Sequence, residues 1–403
     1  MVFLPNQPKI VEPQSMFKHA PTSSIIARET VKVLPSNGSS FSAGQQITIE
    51  FPAVQQLDVA NSYLSYKIKT TGGKLVTNNS QAWISRARLS DGRSTVIFDI
   101  QDYNKLNGIM ELLMAHEQYR TNVGDILEGC TTDTVLIAQR RCCQILGGVL
   151  DNNSQFFPLK YTQGAILDLW VESLANATTD GATALTISDV SYVCEFVTLD
   201  QAYTAGFEQA FLTTGIKYNM DSYTTSQTTI NSSSVNKQIT ESIKSLKSVY
   251  AIQQQAADNI DVYRQARLKT VQFKYANRYH PAQSLSGEDG ASEILKETMK
   301  AVNLSGDVSW DIKLTKTEWS DATDEADTGQ KFIIGMNFEK SPNSAQSGQD
   351  VTRAPLTVAL TYNTDDDANK TNKSPNAVPI TLTTFCHFDQ LLVFSSNGTQ
   401  VFY

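Results

Sequence analysis

Residues 382–392 read LTTFCHFDQLL, and residues 190–200 read VSYVCEFVTLD. Each sets a Cys-x-Phe inside an alternation of apolar and polar residues, and an aspartate follows. A period of two marks a half-buried strand, because successive side chains leave a strand on opposite faces. The two stretches close the two halves of a 403-residue chain. The Cys-x-Phe match alone is no more than chance supplies, and its weight comes from its surroundings. Between the halves lies DQAYTAGFEQAFLTTG, 200–215. Asp200 as N-cap and Gly215 as stop predict a linker helix at the midpoint. Each half also carries an apolar strand after a proline, PLKYTQGAILDLWVES at 158–173 and PLTVALTYN at 355–363. Together these features point to two copies of one β-fold.

The closing stretch also raises a question of chemistry. It brings Cys386, His387 and Asp389 together in a chain with only five cysteines and four histidines. On a strand, Leu382, Thr384, Cys386 and Phe388 share one face, and Phe385, His387 and Asp389 share the other. Cys386 and His387 then point apart and cannot act as nucleophile and base. Cys386 is expected in the core beside Phe388. His387 is expected outward, in a surface pair with Asp389 or a subunit contact.

Working outward, strand patterns recur along both halves. The first half offers ETVKVL, QITIEF, SYLSYKIKT, AWISRARL, RRCCQIL, FFPLKY, AILDLWVES and ALTISDVSYVCEFVTL. The second offers IKYNMDSYTT, QITESIKSLKSVYAIQQ, TVQFKYANRY, KFIIGMNFEK, PLTVALTYN, PITLTTFCHF and QLLVFSSNGTQVFY. Short helices interrupt them. Leu106, Ile109, Met110, Leu113 and Met114 recur at helical spacing, NIDVYRQAR at 259–267 reads as a short helix, and ASEILKETMKAV at 291–302 is amphipathic. A long polar loop is expected over 283–330. Residues 1–28, broken by Pro5, Pro8, Pro13 and Pro21, read as an extended N-terminal arm, with Phe3, Leu4, Met16 and Phe17 as anchors on a neighbour. The expected division is arm 1–28, first β-unit 29–199, linker helix 200–215 and second β-unit 216–403.

Composition narrows the function. Hydrophobic residues make up 40% of the chain, enough for sizeable cores, and charged residues 18%, below the roughly 25% usual for soluble domains. The net charge is −8, with no basic stretch, so no direct nucleic-acid binding is expected. The N-terminus lacks a basic, unbroken apolar leader, and no apolar run is long enough to span a bilayer. Five cysteines without CxxC spacing read as free thiols of a protein made in a reducing intracellular compartment.

Motifs for chemistry are missing or broken. His116-Glu117 begins like a HExxH zinc site, but Arg120 stands where the second histidine is required. Cys142 and Cys143 are neighbours on a strand and face opposite ways. The acidic run 318–327 and Asp365–Asp367 lack the spacing of a calcium loop and read as solvated loops. No phosphate-binding, dinucleotide-binding or nucleophile-elbow motif is present. No catalytic, cofactor-binding or metal-binding residue is expected, and no cofactor.

The pattern over Glu29 to Tyr403 resembles the double jelly-roll major capsid proteins of tailless icosahedral DNA viruses, the lineage of adenoviruses, polintons, virophages and membrane-containing phages. Its carriers are QQITIEFP, FPLKYTQGAILDLWVES and TISDVSYVCEFVTLDQAY in the first half, and FIIGMNFEK and PLTVALTY in the second. The resemblance implies an all-β chain of two jelly-roll β-sandwiches in tandem, with short helices in loops and a linker helix near the midpoint. It implies a non-enzymatic virion protein that forms pseudo-hexagonal homotrimeric capsomers, with loops 283–330 and 115–135 as a tower. Partners would be further copies, minor capsid or penton proteins, and an underlying membrane. The rivals are a receptor-binding spike or fibre, a lectin-like β-sandwich, and a β-sandwich hydrolase. A fibre would carry short repeats, and a hydrolase convergent carboxylates or a histidine dyad; the sequence shows neither.

Overall fold

The computed structural model describes residues 25–77, 79–114, 122–129, 138–151, 155–179, 181–276, 278–288, 290–304, 312, 314–319, 330–340, 347–364 and 373–403. Its nineteen described strands form four antiparallel sheets. In the first half, one sheet runs β1 (Ile25–Val33), β10 (Ala184–Leu199), β5 (Tyr63–Thr71), β8 (Gln139–Cys143), with β2 (Ser40–Ser42) and β4 (Gln56–Leu57) also on β10. The facing sheet runs β3 (Gln46–Glu50), β9 (Ile166–Val171), β6 (Ile84–Ser90), β7 (Val96–Gln101). In the second half, one sheet runs β11 (Ile216–Ile230), β18 (Ile380–Ser395), β13 (Leu246–Gln255), β16 (Ile334–Asn337), with β19 (Gly398–Phe402) on β18. The other runs β12 (Ser234–Ile239), β17 (Leu356–Tyr362), β14 (Leu268–Tyr275), β15 (Arg278–Ser286).

The two halves share one order. Counting eight main strands in each, the first pairs with the eighth, the eighth with the third and the third with the sixth. In the facing sheet the second pairs with the seventh, the seventh with the fourth and the fourth with the fifth. That is the jelly roll, in which the last strand returns to lie between the first and third. The chain is a double jelly roll. Alternation drives it locally: LTVALTY in β17 buries every second residue, and Ile47 and Ile49 of β3 are fully buried.

Six described helices decorate the strands. α1 (Tyr103–Met114) and α2 (Val123–Glu128) connect β7 to β8. α3 (Leu174–Ala177) precedes β10. α4 (Gln201–Thr213) joins the halves, with Asp200 accepting from the Ala202 amide as N-cap. α5 (Ser292–Ala301) and α6 (Lys316–Trp319) connect β15 to β16. Among the described residues, no helix is long and apolar enough to cross a membrane.

Several expectations need correction. β1 starts at Ile25, inside the stretch read as arm, because Ile25 to Arg28 pair with Leu199 to Val197. FFPLKY is not a strand: Phe157 makes one bridge to Leu57, and Leu159–Tyr161 is a 3₁₀ turn after Pro158. NIDVYRQAR is not a helix. Side chains hold it as an irregular turn: Arg264 clamps both carboxylate oxygens of Asp258, and the Asn259 side-chain Oδ1 accepts from the Asp261 amide. β18 is not split near Asp389 but runs unbroken for 16 residues, whereas QLLVFSSNGTQVFY is broken after Ser395, where the chain turns back into β19. The excursion 283–330 is not all loop. Residues 283–286 complete β15, and α5 buries Ile294, Thr298 and Ala301 against β16. A side chain on Gly335 would lie 2.7 Å from the Thr298 backbone, so only glycine admits this approach. Trp319 is buried as well.

Candidate functional site

The surface that most distinguishes this chain is the seam between its jelly rolls. Across it, β11 of the second half lies against β7 of the first. Thr225 Oγ1 donates to the Gln101 carbonyl at 2.7 Å, and Gln227 Nε2 to Asp102 Oδ2 at 2.7 Å. The buried Gln390 amide donates to the Ile97 carbonyl at 2.9 Å. Phe157 meets Tyr218 and Phe394 edge-on, at 5.7 and 5.9 Å between ring centroids. Tyr223 packs on Gly147, where a side chain would stand 3.0 Å from the ring; at φ 80° that glycine also needs a left-handed backbone. Such edge-on ring pairs add about 0.5–1.5 kcal/mol each beyond the area they bury.

His387 faces away from the core of its jelly roll, as strand alternation requires, but the seam covers that face. Its ring stacks on Tyr223, 4.7 Å between centroids at 13°. Nδ1 lies 3.2 Å from Ser248 Oγ, and Nε2 lies 3.4 Å from Asp221 Oδ2, at ion-pair range without hydrogen-bond geometry. A charge cluster continues from it. Lys247 Nζ lies 3.0 Å from Asp221 Oδ2, 3.5 Å from Asp389 Oδ1 and 3.7 Å from Glu339 Oε1. Ser245 Oγ donates to Asp389 Oδ2 at 2.5 Å. Burial disfavours the Asp221 charge, but contact with His387 and then Lys247 outweighs it and holds the carboxyl below its usual range. Burial pulls Lys247 down, and the Asp221 charge more than restores it. Burial pushes Asp389 up. The cluster joins strands; it aims no group at a cleft.

Cys386 is 1% exposed, between Thr224 and Val249 in register. Burial, aided by the Glu241 charge, pushes its thiol up to about 12. A thiol so raised has almost no nucleophilic thiolate at neutral pH. Cys194, its counterpart in β10, is likewise buried and pushed up to about 12. Cys143 points inward and is buried, and Cys142 lies 3.8 Å from Ser65 Oγ on the other face. Among the described residues, no three His, Cys, Asp or Glu gather to hold a metal ion. His116, Glu117, Arg120, Cys130 and Asp365–Asp367 lie outside the described residues, as does most of the acidic run.

A groove of about 650 Å³ opens at one end of the seam, lined by Asp58, Asn61, Phe156, Leu199, Phe207 and Tyr218 among others. Its charged lining residues are Asp58, paired with Arg28 at 2.7 Å, and Lys217. Neither provides the acid–base pair of a hydrolytic cleft. Sequence reasoning missed the seam, because its halves lie far apart along the chain.

No family model matches the chain, and no curated protein matches its sequence. Solved structures do match. A chain of the PBCV-1 virus capsid superposes with a TM-score of 0.67 at 12% identity, covering 96% of this chain and 99% of that one. The Faustovirus major capsid protein gives 0.59 at 8% identity, covering 94% and 92%. The mavirus major capsid protein gives 0.54 at 9% identity, covering 100% and 97%. At such identities the likeness establishes the fold: this chain has the double jelly-roll fold found in viral major capsid proteins.

Proposed function

We propose that this chain is the major capsid protein of an icosahedral virus, a structural subunit and not an enzyme. Three copies form a pseudo-hexagonal capsomer, and capsomers tile the shell. Residues 25–199 and 216–403 are its two jelly rolls and 200–215 the linker helix; the arm, whose residues 1–24 lie outside the described residues, ends before Ile25. The connections from β7 to β8, which holds 115–135, and from β15 to β16, which holds 287–330, leave corresponding strands of the two halves and contribute to a tower. The partners are further copies, with minor capsid or penton proteins and an underlying membrane as secondary contacts, and the protein resides in the virion. No residue serves as a catalytic, cofactor or metal site.

One observation carries this reading: the repeated strand order in both halves, matched over 96% of the chain by a capsid subunit. A chain built of two like units offers six similar edges from three copies, which closed symmetry can cover. The inert, buried Cys386 supports a structural role. No observation favours the spike or lectin-like reading. Negative-stain electron microscopy of the purified chain tests it. Pseudo-hexagonal plates or closed shells are expected; isolated particles of single-chain size at every concentration would contradict it.

A further inference from the structure

Arg141 lies on the edge strand β8, opposite Tyr66 of β5 in register, and both side chains turn into the first jelly roll. Arg141 is 1% exposed. Among the described residues it forms no ion pair, and Nε, Nη1 and Nη2 have no hydrogen-bond partner. An arginine cannot shed its proton in a protein, so burial does not neutralise it. A buried guanidinium with neither acceptor nor counter-charge is strongly destabilising.

Its surroundings fix where the donors point. α2 packs on β8. A side chain on Gly129, the C-cap of α2, would stand 2.7, 2.8 and 2.9 Å from Arg141 Nη2, Cζ and Nε. Such near-equal distances put Gly129 over the flat face of the guanidinium. The N–H groups lie in the guanidinium plane and so are aimed past Gly129. Tyr66 also meets Trp83 edge-on, at 5.0 Å between ring centroids. Burial pushes the Tyr66 hydroxyl well up, while the Arg141 charge and the Trp83 indole both act to lower it. Arg141 and Trp83 thus converge on one hydroxyl. The Trp83 N–H, itself buried, likewise has no hydrogen-bond partner. The Tyr66 hydroxyl donates its proton to the Ser80 carbonyl. Glu128, at the end of α2, accepts from Ser80 Oγ at 3.1 Å. The unmatched atoms of Arg141 and Trp83 are therefore all donors, and they carry one positive charge.

We infer that Arg141 and Trp83 hold one small monovalent anion, of the halide class, inside the first jelly roll. A single negative charge balances the guanidinium, whereas a phosphate dianion would leave a second charge buried and unbalanced. A halide is also a spherical acceptor that several N–H groups can share. By neutralising Arg141 it stabilises the packing of α2 on the edge strand β8. The site lies apart from the seam and does not depend on the capsid reading.

Thermal unfolding of the full chain at fixed ionic strength tests this, with sodium gluconate exchanged stepwise for sodium chloride. The unaltered chain is expected to melt at higher temperature as chloride rises, and the shift should saturate, as for a ligand bound only by the folded state. Arg141→Met should lose the shift, and Glu128→Gln should keep it. No shift in the unaltered chain, or an equal shift in Arg141→Met, would overturn the inference. Crystals of the unaltered chain grown in sodium bromide give a second reading that needs no variant. An anomalous peak within hydrogen-bond reach of Arg141 and of Trp83 Nε1 is expected. An Arg141 paired with Glu128 or another carboxylate, with no peak beside it, would overturn the inference.

Discussion

β10 and β18 hold the same place in their two jelly rolls, and each is 16 residues long. Both carry Cys-x-Phe, and both bury that cysteine. They part in their surroundings. Beyond β10 lies an exposed Thr30–Glu195 pair; beyond β18 lies the enclosed Tyr223–His387 stack. One topology therefore supports two kinds of face. What a strand position demands of its residue depends on what the rest of the chain lays over it.

The inward faces should respond alike, and strongly. Cys386→Asp and Cys194→Asp each place an unpaired charge in a dry core, at a cost of several kcal/mol. Both variants are expected to lose soluble folded protein, read by yield and circular dichroism. A folded Cys194→Asp beside an unfolded Cys386→Asp would break the equivalence of the two cores.

The outward faces should differ. Tyr223→Ala removes a ring buried between the halves and is expected to cost about 3 kcal/mol, as for other buried aromatics. Calorimetry should show one transition split into two, because the seam couples the jelly rolls. Thr30→Ala, at the corresponding place, should leave the melting of the single chain unchanged within about 0.5 kcal/mol.

The seam cluster adds a pH dependence. Asp221 has a folded pKa below its unfolded value of about 3.9. Its contribution is therefore present above that pH and lost as pH falls below it. The side chain is half exposed, so water screens the pair and the effect is about 1 kcal/mol or less. The melting gap between the unaltered chain and Asp221→Asn should be open at pH 6 and close toward about pH 2. A gap that persists at low pH would show that the carboxylate charge is not what matters there.

The smallest effect is expected at the linker. Lys160 of the first half reaches Glu208 of α4 at 2.7 Å, with both side chains more than 40% exposed. Lys160→Ala should cost no more than about 0.5 kcal/mol. A larger loss would mean that the linker helix, not the seam, holds the halves together.

Much of this fold could be read from the sequence where the signal is local. ALTISDVSYVCEFVTL coincides with β10 from end to end, since alternation is a property of the strand itself. α1 and α5 followed from helical spacing, and α4 from Asp200. Local signals misled at FFPLKY and NIDVYRQAR, where Pro158 and the Asp258–Arg264 clamp override propensity. Asp389 read as a strand end, yet its amide donates to the Ser245 carbonyl and its carboxylate accepts from Ser245 Oγ, so the strand runs on. The inward turn of Cys386 was legible from its neighbours. The cover over His387 was not, because Gly147 lies in the other half, and no pattern around residue 387 reports it.

The central claim is that two like jelly rolls, joined by the seam, make one subunit of a three-chain capsomer. Light scattering on the purified 44.4 kDa chain tests it most directly. The account expects the mass of three chains, stable to dilution. A mass of one chain across the accessible concentrations would contradict it.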